Sequence, residues 1–501
     1  MDVENLDWSR CTLSPFEHQI IGTKFLIQNK VTGLLDEMGS GKTKQIIDAA
    51  CFLFETNHID LVLIICPAQV KSVWAHPQYS QIIEHSWVKG IIHEFTSSSR
   101  SLPNTNKGLT WIIVSVELLR QKRHVDYLKR LLTERKYWAV VDESSTISNP
   151  RANQTKGILT LAPRAKKRTI LNGTPIGNSP LNLYSQFDFL DPCILGFRNY
   201  YAFRNHPAKM GGYLNKQVIG FYYLEEIQNK IKPFVLRRLK KDCLDILPKM
   251  YASIIEVRLT QESWKKYSVM RDEFVGYIEG HDEASVVSAA PIKSLRLAQI
   301  CSGFLGGFED DNQENYTAEI GSELTQAFLD NLEFRIDLDP NFKLIVWCRF
   351  RAEIARLEKM CKERFSKLTV KVLQGGLSKI DKDEAITLFH PDSPEIKGPA
   401  LLIGQPQAGR FGSNFAKCSN CDYLSNDYSL LTRLQSEDRI HRPGQQFQCL
   451  FQDYVVVGPN RERTISGIIL KSLRTKQNLA DWTCSKWVEE IMQENSDGIP
   501  F

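Results

Sequence analysis

Leu34-Leu35-Asp36-Glu37-Met38-Gly39-Ser40-Gly41-Lys42-Thr43 decides the fold. A short apolar run, residues 31–35, leads into it, and Ile46, Ile47, Ala50 and Phe54 then fall on one helical face. Strand, glycine-rich turn and helix is the context in which backbone N–H groups converge on phosphate oxygens and a helix N-terminus adds positive potential. In this reading Met38, Gly39, Ser40, Gly41 and Lys42 cradle a nucleotide's phosphates. Lys42 reaches the β- and γ-phosphates, and the Thr43 hydroxyl holds Mg²⁺. Asp36 stands where the first glycine of a general G-x-x-x-x-G-K-T loop sits.

Further apolar runs at residues 61–66, 111–114, 138–141 and 169–171 alternate with helical stretches. Fully apolar strands separated by helices predict a parallel sheet covered on both faces. The rhythm lapses between about Asn199 and Gly321, where the composition predicts mostly helical insertions and connectors. It returns at residues 344–347, 368–373, 401–403 and 453–457. The expected class is α/β, with two such units joined by a helical middle.

At 501 residues the chain is too long for one ordinary core. Its 42% hydrophobic and 24% charged residues suit a soluble globular protein and exclude a disordered one. A net charge of +5 permits nucleic-acid binding but fits a mildly basic metabolic enzyme equally well. Of the twelve cysteines, Cys51, Cys66, Cys301 and Cys348 sit in apolar runs, which predicts buried reduced thiols and a reducing compartment. The first ten residues carry three acids and no apolar core, unlike a signal peptide, and no run approaches the roughly 18 apolar residues of a membrane span. An intracellular protein is expected.

About a hundred residues beyond the loop, the apolar run 137–141 ends in Asp142-Glu143-Ser144-Ser145. Asp142 would hold Mg²⁺, directly or through water, and Glu143 would orient and deprotonate an attacking water. Polar strand ends are common, but beside Lys42 and Thr43 this carboxylate pair predicts a hydrolysing ATPase.

With both motifs in hand, the chain resembles the superfamily-two helicases, and among them the Swi/Snf-type ATP-dependent DNA translocases, from about Leu13 to Lys476. Asp36 to Thr43 is close to that family's D-E-M-G-x-G-K-T, and Leu13 to Gln19 is similar to its adenine-side element, with Gln19 the implied base contact. Cys66-Pro67-Ala68, followed by Lys71 and Trp74, resembles a motif bordering the DNA track. Asn172-Gly173-Thr174-Pro175-Ile176 resembles the element in which Gly173 and Thr174 would couple hydrolysis to lobe motion. Leu236-Arg237-Arg238-Leu239-Lys240-Lys241-Asp242, ending in Leu247-Pro248, marks this branch apart from generic helicases. Downstream, residues 343–350 (with Arg349) and 375–382 resemble second-lobe motifs, Lys382 replacing the usual arginine. Gln435 to Gln445 is nearly the family's Q-A-E-D-R-x-H-R-x-G-Q, which makes Arg439 and Arg442 finger cations and sets Gln435 on the same phosphate. The segment from Ala408 to Phe415 departs from pattern: Arg410 replaces a glycine, where it would either crowd DNA phosphates or contact them as Asn414 would.

The resemblance implies two tandem RecA-like parallel-sheet lobes, 1–240 and 241–501, each with a helical insertion. It implies ATP and Mg²⁺ as cofactors, duplex or branched DNA as partner and no membrane. The activity implied is a nucleic-acid-stimulated ATPase that moves along DNA, in the cytoplasm, nucleoid or viral replication site, or in a nucleus. An ATP-gated nucleic-acid clamp or assembly factor, which Arg410 favours, and an RNA-directed helicase stay open. No separate chromatin-reading module is expected in the remaining length.

Other constellations have plainer readings. Cys418 and Cys421 form a lone C-x-x-C, two ligands short of a zinc site. His441 reads as structural or phosphate-adjacent. The aromatics at residues 197–203 and 221–223 read as packing between lobes, with base stacking the sharper alternative. The basic run 164–168 reads as a solvated face, with a phosphate backbone as its alternative partner.

Overall fold

The computed structural model describes residues 3–76, 80–99, 108–173, 179–211, 217–244, 247–280, 283–309, 315–391, 393–408, 414–442 and 444–480. The chain forms two compact units, the first built on Met1–Asp245 and the second on Ile246–Gln477.

In the first unit, helix α1 (Glu17–Gln28) precedes β1 (Val31–Leu34), and helix α2 (Lys42–Glu55) follows the glycine loop. The other strands are β2 (Leu61–Cys66), β3 (Gly90–Phe95), β4 (Leu109–Ser115), β5 (Tyr137–Val141) and β6 (Lys167–Leu171). A hairpin, β7 (Ala208–Gly211) with β8 (Gln217–Phe221), and the two-residue β9 (Val235–Leu236) complete it. The main sheet runs β3-β4-β2-β5-β6-β1-β9, every pair parallel. All residues of β2, β4 and β5 are buried, which is why they read as unbroken apolar runs. β3 is a half-exposed edge with His93 and Glu94 in it, and β9 is too short to carry a pattern.

Lys167 corrects the reading of the 164–168 run as a solvated face. Its side chain is buried, and its ammonium donates to the carbonyls of Ile27 and Asn29 (3.0 and 2.5 Å), closing the C-terminal end of α1. Desolvation pushes its pKa down to about 8.

The second unit holds β10 (Met250–Tyr251), β11 (Ile255–Arg258), a hairpin of β12 (Phe304–Glu309) with β13 (Asn315–Glu319), and β14 (Lys343–Trp347). β15 (Thr369–Leu373), β16 (Ala400–Gly404), β17 (Asn420–Tyr423) and β18 (Leu450–Val457) follow. The order is β10-β18-β17-β14-β16-β15, with β11 also on β18, again all parallel. Two parallel sheets flanked by helices give the expected α/β class. The middle is less helical than its composition suggests: consecutive long helices at Gln261–Gly280 and Glu283–Cys301 are preceded in the chain by the β7–β8 hairpin and followed by the β12–β13 hairpin. Those hairpin strands are short and mixed in polarity, so neither periodicity is developed in them. Among the described residues, no helix is long and apolar enough to cross a membrane.

Candidate active site

Strands β5, β6 and β1 are neighbours running the same way, so their C-terminal ends share one edge of the sheet. β1 ends in the glycine loop, β5 in Asp142-Glu143, and β6 between them in Asn172-Gly173. Ligands of open parallel sheets bind at this edge.

The loop turns on Gly39 (φ +83°) and Gly41 (φ +79°), left-handed positions that glycine takes at little cost. A Cβ on Gly41 would also come within 2.2 Å of Gln19 Nε2. Gly41 caps α2 without a side-chain hydrogen bond, and uncapped N–H groups at a helix start are the donors that an anion takes. Lys42 Nζ donates to the carbonyls of Asp36 (2.7 Å) and Glu37 (3.2 Å), folded along the loop it serves. Thr43 lies half-buried in the first turn. His18 Nε2 bonds the Ser40 carbonyl at 2.8 Å and Gln19 Nε2 donates to the same carbonyl at 3.5 Å, so α1 braces the loop, while Gln19 Oε1 accepts the Phe16 N–H (3.0 Å) at the helix start. The Ser40 hydroxyl is buried with no hydrogen-bond partner among the described residues, a donor that a phosphate oxygen would satisfy.

Asp36 is fully buried and Arg238 closes on it. The guanidinium donates through Nε to Oδ1 (3.0 Å) and through Nη2 to Oδ2, while also reaching Gln45 Oε1 (3.1 Å) and the His18 carbonyl. Arg237 Nη1 donates to the carbonyls of Leu35 (2.9 Å) and Gly173 (3.1 Å). β9 makes this possible: pairing with β1 at Gly33 and Leu34, it delivers both arginines beside the loop. The sequence singled out Arg237-Arg238 as a mark of branch and missed this task. An aspartate ending an apolar strand was the signal, since a buried carboxylate demands a cation.

At the end of β5, Asp142 Oδ1 accepts the Glu143 N–H (2.9 Å) and Oδ2 accepts Trp74 Nε1 (2.8 Å). Burial raises the Asp142 pKa, opposed by the Trp74 bond and by the charge of Lys42, which therefore acts on the same site. Trp74 is fully buried and holds the carboxylate, a role the sequence did not show. Glu143 has φ +52°, a left-handed backbone rare outside glycine and of the kind concentrated at functional sites. Beside it, Ser144 Oγ donates to Gln186 (2.6 Å) and accepts from Asn172 Nδ2 (3.2 Å). A Cβ on Gly173 would sit 2.3 Å from Met38 Cγ, so the glycine's bareness lets β6 touch the phosphate loop. Thr174 lies outside the described residues. The hydroxyl and carboxylate oxygens of Thr43 and Asp142 are the hard donors Mg²⁺ prefers, so the residues fit the ion. Lys71 is ion-paired to Glu94.

In the second unit, Gln435 is buried near the end of helix Leu430–Glu437, with Arg439 buried and Arg442 half-buried just beyond it. Burial lowers the Arg442 pKa, against the charge of Asp438, whose carbonyl accepts from Arg442 Nε at 2.8 Å. Arg433 anchors the helix: Nη1 and Nη2 grip Asp453 (2.6 and 3.0 Å), Nε grips Glu437 (2.8 Å), and its guanidinium lies 3.3 Å from the Tyr423 ring centre. His441 Nε2 bonds the Leu247 carbonyl (2.9 Å), a structural tie to the Leu-Pro segment. The Arg349 N–H donates to Ser425 Oγ (2.7 Å), whose hydroxyl donates to buried Glu353 (2.5 Å). Desolvation pushes Glu353 up to about 7. Asn414 Oδ1 accepts the Ala416 N–H (3.2 Å), and Arg410 lies outside the described residues. Cys418 and Cys421 are buried, and among the described residues no group of three ligating side chains gathers at either.

A phosphate loop, a carboxylate pair and a linking glycine on adjacent parallel strands define a phosphate-loop nucleotide-binding fold. The chain belongs to the SNF2-related domain family, whose model matches residues 18–303. It is 25% identical over 460 residues to an uncharacterized ATP-dependent helicase of Mycoplasma genitalium, covering 91% of this chain and 41% of that protein. It is also 25% identical over 487 residues to the TATA-binding protein-associated factor mot1 of Schizosaccharomyces pombe, covering 84% of this chain and 24% of that one. The chain thus spans less than half the length of these relatives. A solved Sulfolobus solfataricus SWI2/SNF2 ATPase core in complex with dsDNA is similar at 23% identity and TM-score 0.43, over 98% of this chain and 97% of that one.

Proposed function

We propose that the chain is an ATP-dependent DNA translocase of Swi/Snf type, converting hydrolysis in the first unit into movement along duplex or branched DNA. The observation that supports hydrolysis best is the strand order β5-β6-β1, which sets the acid pair, the coupling glycine and the phosphate loop side by side. Lys42 would exchange its loop carbonyls for β- and γ-phosphate oxygens, and the Ser40 hydroxyl would gain an acceptor. Mg²⁺ held by Thr43 and Asp142 would supply charge to those oxygens. Glu143 would orient a water and take its proton. Gln435, Arg439 and Arg442 would add donors and positive charge to the transferring group. Gly173, touching Met38 while Asn172 bonds Ser144, would register any shift of the loop.

DNA as the track rests on membership of the SNF2-related family and the motifs of the Swi/Snf branch, and the net charge of +5 permits it. Lys71, Arg349, Arg410 and Asn414 are the proposed contacts, Lys71 exchanging Glu94 for a phosphate. Remodelling of DNA structures or of protein–DNA complexes would follow from such movement. Triplex displacement tests it: a translocase strips a third strand at a distance from its entry point, in an ATP-dependent way. Tight ATP-dependent binding without displacement would contradict movement and identify a clamp.

A further inference from the structure

The aromatic segment after β6 divides into an inner and an outer half. Phe203 is fully buried, in contact with Phe197 (ring centres 5.4 Å apart) and Tyr184 (5.5 Å), and belongs to the first unit's core. Tyr201, Tyr222 and Tyr223 are 52%, 49% and 61% exposed, and the Tyr222 and Tyr223 rings lie 6.1 Å apart.

Each outer ring is fixed and accompanied by a cation or an imidazole. Arg151, just past the carboxylate pair, donates to the Tyr201 hydroxyl at 2.5 Å, and its guanidinium lies 5.3 Å from that ring centre, with Arg204 at 6.0 Å. The Lys209 ammonium on β7 lies 5.7 Å from the Tyr222 ring. Tyr223 stacks on His206 (4.8 Å, 23° between planes), and His206 is held by Glu226 at 2.9 Å. Glu226 also pairs with Lys230 at 2.8 Å, so this carboxylate is occupied within the module. Tyr223 has φ +53°, a costly backbone for an aromatic residue, and the hairpin closes onto it through the Tyr222 N–H to the Pro207 carbonyl (2.6 Å). Among the described residues no carboxylate pairs with Arg151, Arg204 or Lys209.

We infer that this patch binds single-stranded DNA, its rings stacking on unpaired bases and Arg151, Arg204 and Lys209 meeting the phosphates. In a duplex, bases stack on one another and offer no free face to a protruding ring. Unpaired bases do, whatever their sequence, and the strand carries the charge these cations lack. A protein partner would fit the rings but leaves the uncompensated cations unexplained. None of these residues belongs to the motifs assigned to the duplex track, and the patch would act where that track opens or branches. The inference rests on the reading of the chain as a DNA motor, yet its test needs no hydrolysis.

The test is fluorescence anisotropy of the full chain on labelled oligothymidylate and on a duplex of equal length, without nucleotide. The variant Tyr222→Ala with Tyr223→Ala should lose roughly 10-fold or more in affinity for oligothymidylate. Duplex affinity should stay within about twofold, and unstimulated ATPase should not change. The double Tyr→Phe variant keeps the rings and should bind like the parent, which separates stacking from a folding defect. The idea is overturned if the parent does not bind oligothymidylate. It is also overturned if the alanine variant binds it unimpaired, if both DNAs are lost equally, or if phenylalanine fails like alanine. Oligothymidylate binding in a protein without DNA-stimulated hydrolysis would contradict the motor reading and leave this one standing.

Discussion

Arg238 closes on Asp36 from 202 residues further along the chain, a guanidinium fork on a fully buried carboxylate at the mouth of the phosphate loop. Arg238→Ala strands that carboxylate and should destabilise the first unit by about 3–5 kcal/mol, with weaker nucleotide binding. Arg238→Lys keeps the charge but loses the fork and should fall between. Replacing both partners, Asp36→Leu with Arg238→Met, should recover most of the stability. Denaturant unfolding of the four proteins checks this, and equal losses in the single and double variants would refute the coupling.

Lys42→Ala and Glu143→Gln should each abolish turnover, the second leaving ATP binding largely intact. Arg442→Ala should lower turnover by roughly 10³-fold. Because Glu143 has φ +52°, Glu143→Gly should be more stable than Glu143→Ala by about 1 kcal/mol although both are inactive. Steady-state hydrolysis and thermal melts of these variants measure both effects.

Trp74→Phe keeps a buried aromatic ring and deletes the indole N–H that fixes Asp142 Oδ2, at a cavity cost of about 1–3 kcal/mol in stability. The Mg²⁺ concentration for half-maximal turnover of the folded protein should rise by roughly 10-fold or more. An unchanged Mg²⁺ dependence would separate Asp142 from the metal.

Glu353, beneath Ser425 and the Arg349 backbone, makes stability fall as pH rises. Its carboxyl stays protonated in the folded protein up to about 7, against an ordinary value of 4.5. Between those values the folded state holds a proton that the unfolded chain releases, so stability drops across that window by up to roughly 3 kcal/mol and levels off above it. Glu353→Gln should flatten that slope. Melting temperatures of both proteins from pH 4.5 to 8 provide the check.

The legible parts were those with an unambiguous local pattern. The buried strands β2, β4 and β5 announce themselves by apolarity, and the loop and Asp142-Glu143 by residue type and spacing. What stayed hidden depends on long-range contact. β9 is two residues long, and only its pairing with β1 turns Arg237 and Arg238 into braces of the loop. Trp74 reads in sequence only as part of a motif bordering the DNA track, and its hold on Asp142 shows once the carboxylate lies opposite its indole nitrogen. Lys167 sits in a basic run, yet two carbonyls at the end of α1 bury it. The outer tyrosines are indistinguishable in sequence from Phe203, and tertiary packing alone separates ring from core.

The central claim is that hydrolysis at Lys42, Asp142 and Glu143 is driven by DNA. Its most direct test is the ATPase rate measured side by side without nucleic acid and with duplex DNA, single-stranded DNA, forked DNA and RNA. The account predicts strong stimulation by duplex or forked DNA, abolished by Glu143→Gln. A rate indifferent to DNA, or one that RNA stimulates above duplex DNA, would contradict it.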